Sequence, residues 1–127
     1  MTVETLAILM PGDMGHGCAI AFRENGFRVV TNLSGRSDRT KGLAAKAQIE
    51  DLGSFEEVAR QADLVLSILP PENAIDQGRV FADAMIAAGS TPPYVDCNAI
   101  APSTTEKVGA EIARAGALYI DGGIIGN

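Results

Sequence analysis

Leu6-Ala7-Ile8-Leu9-Met10-Pro11-Gly12-Asp13-Met14-Gly15-His16-Gly17 opens a run to Arg36 whose reading decides the fold. The apolar residues 6–10 predict a buried strand, Pro11 to Gly17 a glycine loop, and the residues after it an amphipathic helix. A second strand at 27–31 (Phe-Arg-Val-Val-Thr) follows, and then Asn32-Leu33-Ser34-Gly35-Arg36-Ser37. A strand that feeds a helix through a glycine turn aims backbone N–H groups and the positive helix end at one point. That arrangement suits a pyrophosphate, and glycines are needed because a Cβ would hold the phosphate oxygens away from the backbone. The second strand delivers Asn32 twenty residues after Gly12, where a dinucleotide fold reads the adenosine ribose. The stretch therefore predicts a nucleotide site of the Rossmann type.

The full fingerprint for such a loop is G-x-G-x-x-G. Gly12 and Gly15 occupy its second and third glycine positions, and Met10 stands at the first. Because Met10 precedes a proline it favours an extended backbone, so the turn is expected to depart locally from the standard one. A glycine cluster can equally mark only a tight turn; the flanking strand, helix and second strand favour the nucleotide reading.

The rest of the chain continues the alternation. Met14, Cys18, Ala19, Ala21 and Phe22 form a helical apolar stripe that Asn25-Gly26 closes. A short alanine-rich helix is expected over 39–47 and a brief third strand over 49–51. Ser54-Phe55-Glu56-Glu57 reads as a capping box opening a helix through Gln61. Residues 63–69 form a nearly continuous apolar run, as a parallel strand covered on both faces requires, and Pro70-Pro71 ends it. A longer helix follows, with Val80, Phe81, Ala84, Met85 and Ala88 on one face and a stop at Gly89. Strands at 94–97 and 117–121 flank a last helix, for which Ser103-Thr104-Thr105-Glu106 reads as a second capping box with Ser103 as the cap. The pattern predicts one α/β domain over residues 1–127, a doubly wound Rossmann fold of three layers. Its six parallel strands are expected in the order 3-2-1-4-5-6.

Composition sets the outer bounds. The 127 residues are 46% hydrophobic and 20% charged, enough for one domain that buries about two thirds of its unfolded surface. A net charge of −6 argues against nucleic acid or an anionic membrane as partner. Arg36, Arg39, Lys41 and Lys46 nevertheless fall within one short stretch, which points to a small anion or to a solvated helix face. One histidine and two dispersed cysteines, Cys18 and Cys97, show no metal-ligand spacing, and no metal is expected. The cysteines read as reduced core residues of a cytoplasmic protein. No apolar run reaches membrane-spanning length, and the first residues lack the positive charge of a signal peptide.

In such sheets ligands bind beyond the carboxyl ends of the strands. Four segments converge there: the loop from Pro11 to Gly17, Asn32 to Ser37, Leu69-Pro70-Pro71, and Asn98 to Pro102. An NAD site carries an acid at the end of the second strand, which holds the ribose hydroxyls and repels a 2′-phosphate. Asn32 removes that repulsion, and Ser34, Arg36 and Ser37 supply donors that match a phosphate, so NADP is expected over NAD. Asp96, Asn98, Ser103 and Asp121 lie near strand ends on the same edge; Asn98 is the best candidate to meet a nicotinamide or substrate, since an amide both donates and accepts. His16 reads as a solvent-exposed turn residue rather than a general base.

Four motifs together resemble the N-terminal domain of the 6-phosphogluconate dehydrogenase and 3-hydroxyisobutyrate dehydrogenase superfamily of β-hydroxyacid dehydrogenases. Gly12-Asp13-Met14-Gly15 is similar to the family's G-x-M-G loop, and Leu66-Ser67-Ile68-Leu69-Pro70 to its apolar strand ending in proline. Residues 95–102 (Val-Asp-Cys-Asn-Ala-Ile-Ala-Pro) resemble D-x-S-T-x-x-P, and residues 121–126 (Asp-Gly-Gly-Ile-Ile-Gly) its substrate loop D-A-P-V-S-G. The resemblance implies that Gly12, Met14 and Gly15 line the pyrophosphate and that Leu69 and Pro70 pack near the ribose. It also implies that Asn98 approaches the nicotinamide, that Gly122 and Gly123 face a small acidic hydroxyacid, and that the full-length family forms homodimers. Cys97-Asn98 departs from the Ser-Thr pair. The family's catalytic lysine belongs to a helical C-terminal domain absent from this chain, and Lys41, Lys46 and Lys107 match no family catalytic position.

The leading expectation is thus the NADP-binding domain of an oxidoreductase that transfers hydride between cofactor and hydroxyacid, with or without decarboxylation. The alternatives are a dinucleotide-binding or sensing module without turnover, and an imine-reductase-like enzyme. A methyltransferase would carry a carboxylate where Asn32 stands, and a short-chain dehydrogenase needs Tyr-x-x-x-Lys. Tyr94 is followed at that spacing by Asn98 and Tyr119 by Gly123, which excludes the latter.

Overall fold

The computed structural model describes residues 3–9, 13–68, 71–97 and 101–122. Six strands alternate with five helices: β1 (Thr5–Leu9), α1 (Asp13–Glu24), β2 (Arg28–Thr31), α2 (Asp38–Lys46), β3 (Glu50–Asp51), α3 (Phe55–Gln61), β4 (Leu64–Ser67), α4 (Ala74–Ala88), β5 (Tyr94–Asp96), α5 (Pro102–Arg114) and β6 (Tyr119–Asp121). All strand pairs are parallel, and the order across the sheet is β3-β2-β1-β4-β5-β6, as the alternation predicts.

Strand alternation divides the core in two, because successive side chains point to opposite faces. On one face Ala7, Leu9, Val30, Val65 and Tyr94 pack under α3, α4 and α5, with Val58, Phe81, Met85, Val108 and Ile112 supplied by those helices. On the other, Ile8, Val29 and Leu66 meet Ala19 of α1 and Ala44 of α2. Phe81 and Tyr94 are fully buried, and Phe81 contributes about 1.5–3 kcal/mol for a burial of this kind. β1, at the centre, is buried at all five positions, which explains the apolar run from Leu6 to Leu9 after Thr5. Beyond Val95, this second face carries the exposed Leu118 and Ile120, with Ile120 beside Val95 in the β5–β6 register.

The helix ends follow local chemistry. Gly89 closes α4 in the left-handed region (φ 67°), its N–H bonded to Met85 O and Ile86 O, a conformation that favours glycine. Ser54 caps α3 with its side chain accepting from Glu57 N. The return half of that capping box is missing, because the Glu57 carboxylate accepts from Arg60 and Gln61 instead.

Two expectations are corrected. Ser103 does not cap α5: the helix begins at Pro102, the cap position is Ala101, and no side chain caps it. Proline's fixed φ suits the first helical position and its missing N–H needs no partner there, so the start moves ahead of the serine. Val80 is not on the core face of α4; it is 42% exposed. Phe81, Ala84 and Met85 hold the stripe under the helix, and Val80 falls at its margin on the rim of a cleft described below.

Candidate functional site

The parallel sheet gathers the carboxyl ends of its strands along one edge. β1 ends at Leu9 and α1 begins at Asp13, so the first turn of α1 follows the carboxyl end of β1 at this edge. Gly15 is buried in that first turn. Pro11, Gly12, Leu69, Pro70, Asn98 and Gly123 lie outside the described residues, as do the side chains of Asp13, Met14 and Pro71.

His16 is not an exposed turn residue. It is half-buried on α1, and its Nδ1 lies 2.8 Å from Leu43 O on α2. A carbonyl only accepts, so Nδ1 carries the proton and donates. The ring ties two helices together, which accounts for its place without a proton-transfer role.

The segment after β2 is built as a rigid corner. Thr31, fully buried, donates from Oγ1 to Ile8 O at 2.5 Å and so pins the end of β2 to β1. Asn32 is also buried, and its Oδ1 accepts from Ser34 N at 3.0 Å, the local turn that asparagine forms readily. Asp51, at the end of β3, accepts from Leu33 N at 3.1 Å and Gly53 N at 2.9 Å, and Ser34 Oγ donates to Gly53 O at 2.9 Å. Ser37 caps α2, with Oγ accepting from Thr40 N at 3.2 Å and donating to Thr40 Oγ1 at 3.1 Å.

These bonds redistribute the donors expected of this loop. The hydroxyls of Ser34 and Ser37 serve the loop itself, and the Asn32 oxygen is engaged. The Arg36 side chain is half-buried, and only the oxygen of the Asn32 amide is engaged by this loop. Of the basic group read in the sequence, Arg39, Lys41 and Lys46 are exposed along α2, whereas Arg36 lines a cleft of about 300 Å³.

Phe55 from α3, Asn73 from the 3-10 turn Pro71–Asn73, and Asp76, Gln77 and Val80 from α4 complete that cleft. It combines a planar cation, an aromatic ring and an aliphatic wall with two amides. Such surfaces suit a flat heteroaromatic group whose edge carries hydrogen-bonding atoms.

At the other end of the edge a polar cluster is buried beneath β4, β5 and β6. Ser67 and Asp96 are 1% exposed, and Tyr119 Oη donates to Asp96 Oδ2 at 3.4 Å. Asp96 also holds the chain end through its carbonyl, which accepts from Gly122 N at 2.8 Å. Burial raises the Cys97 thiol to about 11, with the Asp96 and Cys18 charges acting in the same direction. Burial and these charges thus work against the thiolate, the form in which a cysteine attacks. Burial likewise raises the Tyr94 and Tyr119 hydroxyls, and Asp96 adds to both. Asp121 is exposed. Among the described residues no group of three or more His, Cys, Asp or Glu side chains is placed to hold a metal. None of the described helices is long and apolar enough to cross a membrane.

The start of α1, the rigid corner after β2 and the buried ends of β4 and β5 stand along the edge where a doubly wound sheet takes its ligand. Residues 6–127 match the family described as the NAD binding domain of 6-phosphogluconate dehydrogenase. The chain belongs to that family. A conserved protein of unknown function, whose structure is described as similar to 3-hydroxyacid dehydrogenases, superposes with a TM-score of 0.84. It is 26% identical, and the match covers 97% of this chain and 44% of that one. The 3-hydroxyisobutyrate dehydrogenase of Mycobacterium tuberculosis, solved with L-serine, superposes with a TM-score of 0.74. It is 23% identical, with 93% and 39% covered, and it shares the fold. An uncharacterized 28.5 kDa protein of Methanothermus fervidus is 27% identical over 87 residues, 68% of this chain and 33% of that protein. The chain thus spans less than half the length of the relatives it matches.

Arg36, named from the sequence, lines the cleft, and two residues that the sequence did not single out also take part in this edge. Asp51 was read only as part of a strand, yet it bonds the two loops that shape the corner. Gln77 was not singled out. Its spacing is the signal that could have found it: three residues after Ala74 and four before Phe81, it falls on the buried stripe of α4, where a polar side chain needs a reason.

Proposed function

We propose that this domain binds NADP(H) in preference to NAD(H) and serves as the cofactor half of an oxidoreductase acting on a small hydroxyacid. The observation that carries the preference is Arg36, which lines the cleft four residues after Asn32, an amide where a carboxylate would repel a 2′-phosphate. Arginine pairs with phosphate through a planar fork, and the Asn32 Nδ2 hydrogens offer a further donor on the same corner. The cleft lined by Phe55 and Val80 would take the adenine. In this reading the pyrophosphate lies over the first turn of α1, where backbone N–H groups and the helix dipole favour an anion. The nicotinamide would reach toward Asn98, with Gly122 and Gly123 on the substrate side.

When bound, the cofactor supplies the hydride chemistry. This chain's residues bind it, orient it and close off one side of it. The hydroxyl proton must also be taken by a group within hydrogen-bond reach. Asp96 is buried and His16 is tied to Leu43, which leaves the exposed Asp121 or a group outside these 127 residues to take the proton; the family resemblance favours the latter. The 127 residues alone are expected to bind NADPH without measurable turnover of hydroxyacids or cyclic imines. A polypeptide that adds such a domain is expected to be active.

Titration calorimetry tests the cofactor reading. NADPH should bind more tightly than NADH, and Arg36→Ala should bring the two within about threefold of each other by removing a charge-assisted contact worth about 1.5–3 kcal/mol. Equal affinities in the unmutated protein would refute the preference. Reduction of NADP by the isolated domain with a hydroxyacid would refute the division of labour.

A further inference from the structure

We propose that Tyr119 and Asp96 are positioning residues for the second half of the bound dinucleotide: their bond fixes the chain that leaves β6 against the chain that leaves β5. The inference rests on the nucleotide reading above. A doubly wound sheet takes one mononucleotide on each side of the point where its strand order reverses, which here lies between β1 and β4. The corner after β2, with Arg36, belongs to one side. The other mononucleotide therefore meets the carboxyl ends of β4, β5 and β6.

At that end β6 needs a tie. It is an outer strand of three residues and, among the described residues, pairs with β5 alone. Leu118 and Ile120 are exposed on one face, so the packing of this strand rests on Tyr119. The Tyr119 ring stacks on Tyr94 with centroids 6.4 Å apart. It also lies against α5, where a Cβ on Gly109 would come within 3.2 Å of Tyr119 Cδ2. From this held ring Oη donates to Asp96 Oδ2 at 3.4 Å, and one residue past the strand Gly122 N donates to Asp96 O at 2.8 Å. Asp96 thus holds the exit of β6 twice, by side chain and by backbone. The next residue, Cys97, donates its N–H to Ser67 O at 3.0 Å, which ties the exits of β4 and β5 in turn.

Packing alone does not call for a carboxylate at this place. Asp96 is 1% exposed, and a buried carboxylate is costly unless it is bonded, whereas an apolar pair would hold the same strand end without that cost. What a hydrogen bond adds is direction, because it weakens steeply as its angle departs from linear. Segments that meet a ligand at fixed geometry need that direction from the residues beneath them.

Titration calorimetry separates positioning from folding when NADPH is compared with adenosine 2′,5′-bisphosphate, its half without the nicotinamide nucleotide. Tyr119→Phe keeps the ring and removes only the hydroxyl. It should weaken NADPH about three- to tenfold, the worth of one hydrogen bond, and leave the affinity for the fragment unchanged. Asp96→Ala should do the same, and Asp96→Asn, which keeps an acceptor oxygen, should restore most of the loss. If Asp96→Ala does not fold, Tyr119→Phe decides alone. The proposal is overturned if Tyr119→Phe binds NADPH as the parent does, or if NADPH and the fragment weaken by the same factor, the mark of a residue that serves folding only. It is also overturned if a folded Asp96→Ala loses affinity that Asp96→Asn does not recover. Failure of both NADPH and the fragment to bind the parent would refute the nucleotide reading, and this inference with it. If the 2′-phosphate preference alone fails, NADH and AMP make the same comparison, so the two readings are tested separately.

Discussion

The Nδ1–H of His16 on α1 donates to the carbonyl of Leu43 on α2 across 2.8 Å. The bond ties α1 to α2, the helix that follows the Arg36 corner, so it sets the relation between the helix after β1 and the helix after β2. His16→Ala removes the donor and leaves a half-buried carbonyl to water. The expected cost is about 1 kcal/mol, read as a lower urea midpoint with an unchanged slope. His16→Gln, which restores a donor of similar reach, should recover part of it.

The two serines that read alike in the sequence should separate on mutation. Ser54→Ala deletes an observed cap and should destabilise by about 1 kcal/mol. Ser103→Ala, in an exposed first turn that begins at Pro102, should stay within about 0.5 kcal/mol of the parent. Thermal melts of both variants in one buffer check the pair.

Acid sensitivity should localise to the loop before β4. Asp63 Oδ2 accepts from Glu4 N and Thr5 N, both at 3.0 Å. These backbone donors, Glu4 first, hold its carboxyl below the usual range against a small opposing effect of burial. A depressed carboxylate contributes stability above its unfolded pKa and loses it as pH falls through the folded value. Asp63→Ala should therefore be less stable than the parent at pH 7, with the gap closing below the ordinary aspartate range. Urea titrations from pH 7 to pH 3 follow the gap directly.

Gly122 follows β6, and a Cβ there would come within 2.6 Å of Val95 Cγ1. Valine's short branched side chain cannot swing aside, so Gly122→Ala should destabilise by about 1–3 kcal/mol through overpacking. Adding Val95→Ala removes the clashing methyl. A double-mutant cycle should then show a favourable coupling between the two sites.

The architecture was legible because each level of the sequence agreed with the next. Apolar runs of strand length, helical stripes between them and short connections allow few topologies, and the observed sheet order is the expected one. What escaped was local competition between rules. Pro102 and Ser103 each signal a helix start, and the proline's fixed backbone prevailed. Ser34 and Ser37 carry hydroxyls suited to a phosphate, but nearby backbone groups engage them first, as they do the oxygen of Asn32. Side chains of this kind serve either the loop or the ligand, and only three-dimensional proximity decides which. Asp51 and Gln77 escaped for a related reason: their importance comes from groups distant in sequence, Leu33 for one and the cleft wall for the other.

One face of the sheet carries an aromatic column from Phe55 through Phe81 and Tyr94 to Tyr119, with ring centroids 6.0, 5.8 and 6.4 Å apart. It starts at the cleft and ends at the hydroxyl that donates to Asp96. The sequence contains no tryptophan, and Tyr94 and Tyr119 are its only tyrosines. All the tyrosine emission and near-ultraviolet dichroism of the protein therefore arises from two stacked rings beneath β5 and β6. A change in that signal when a ligand is added reports movement under the far end of the site. A ligand confined to the cleft would reach it only through Phe55 and Phe81, so the protein carries an optical gauge at one end of its binding edge without any label.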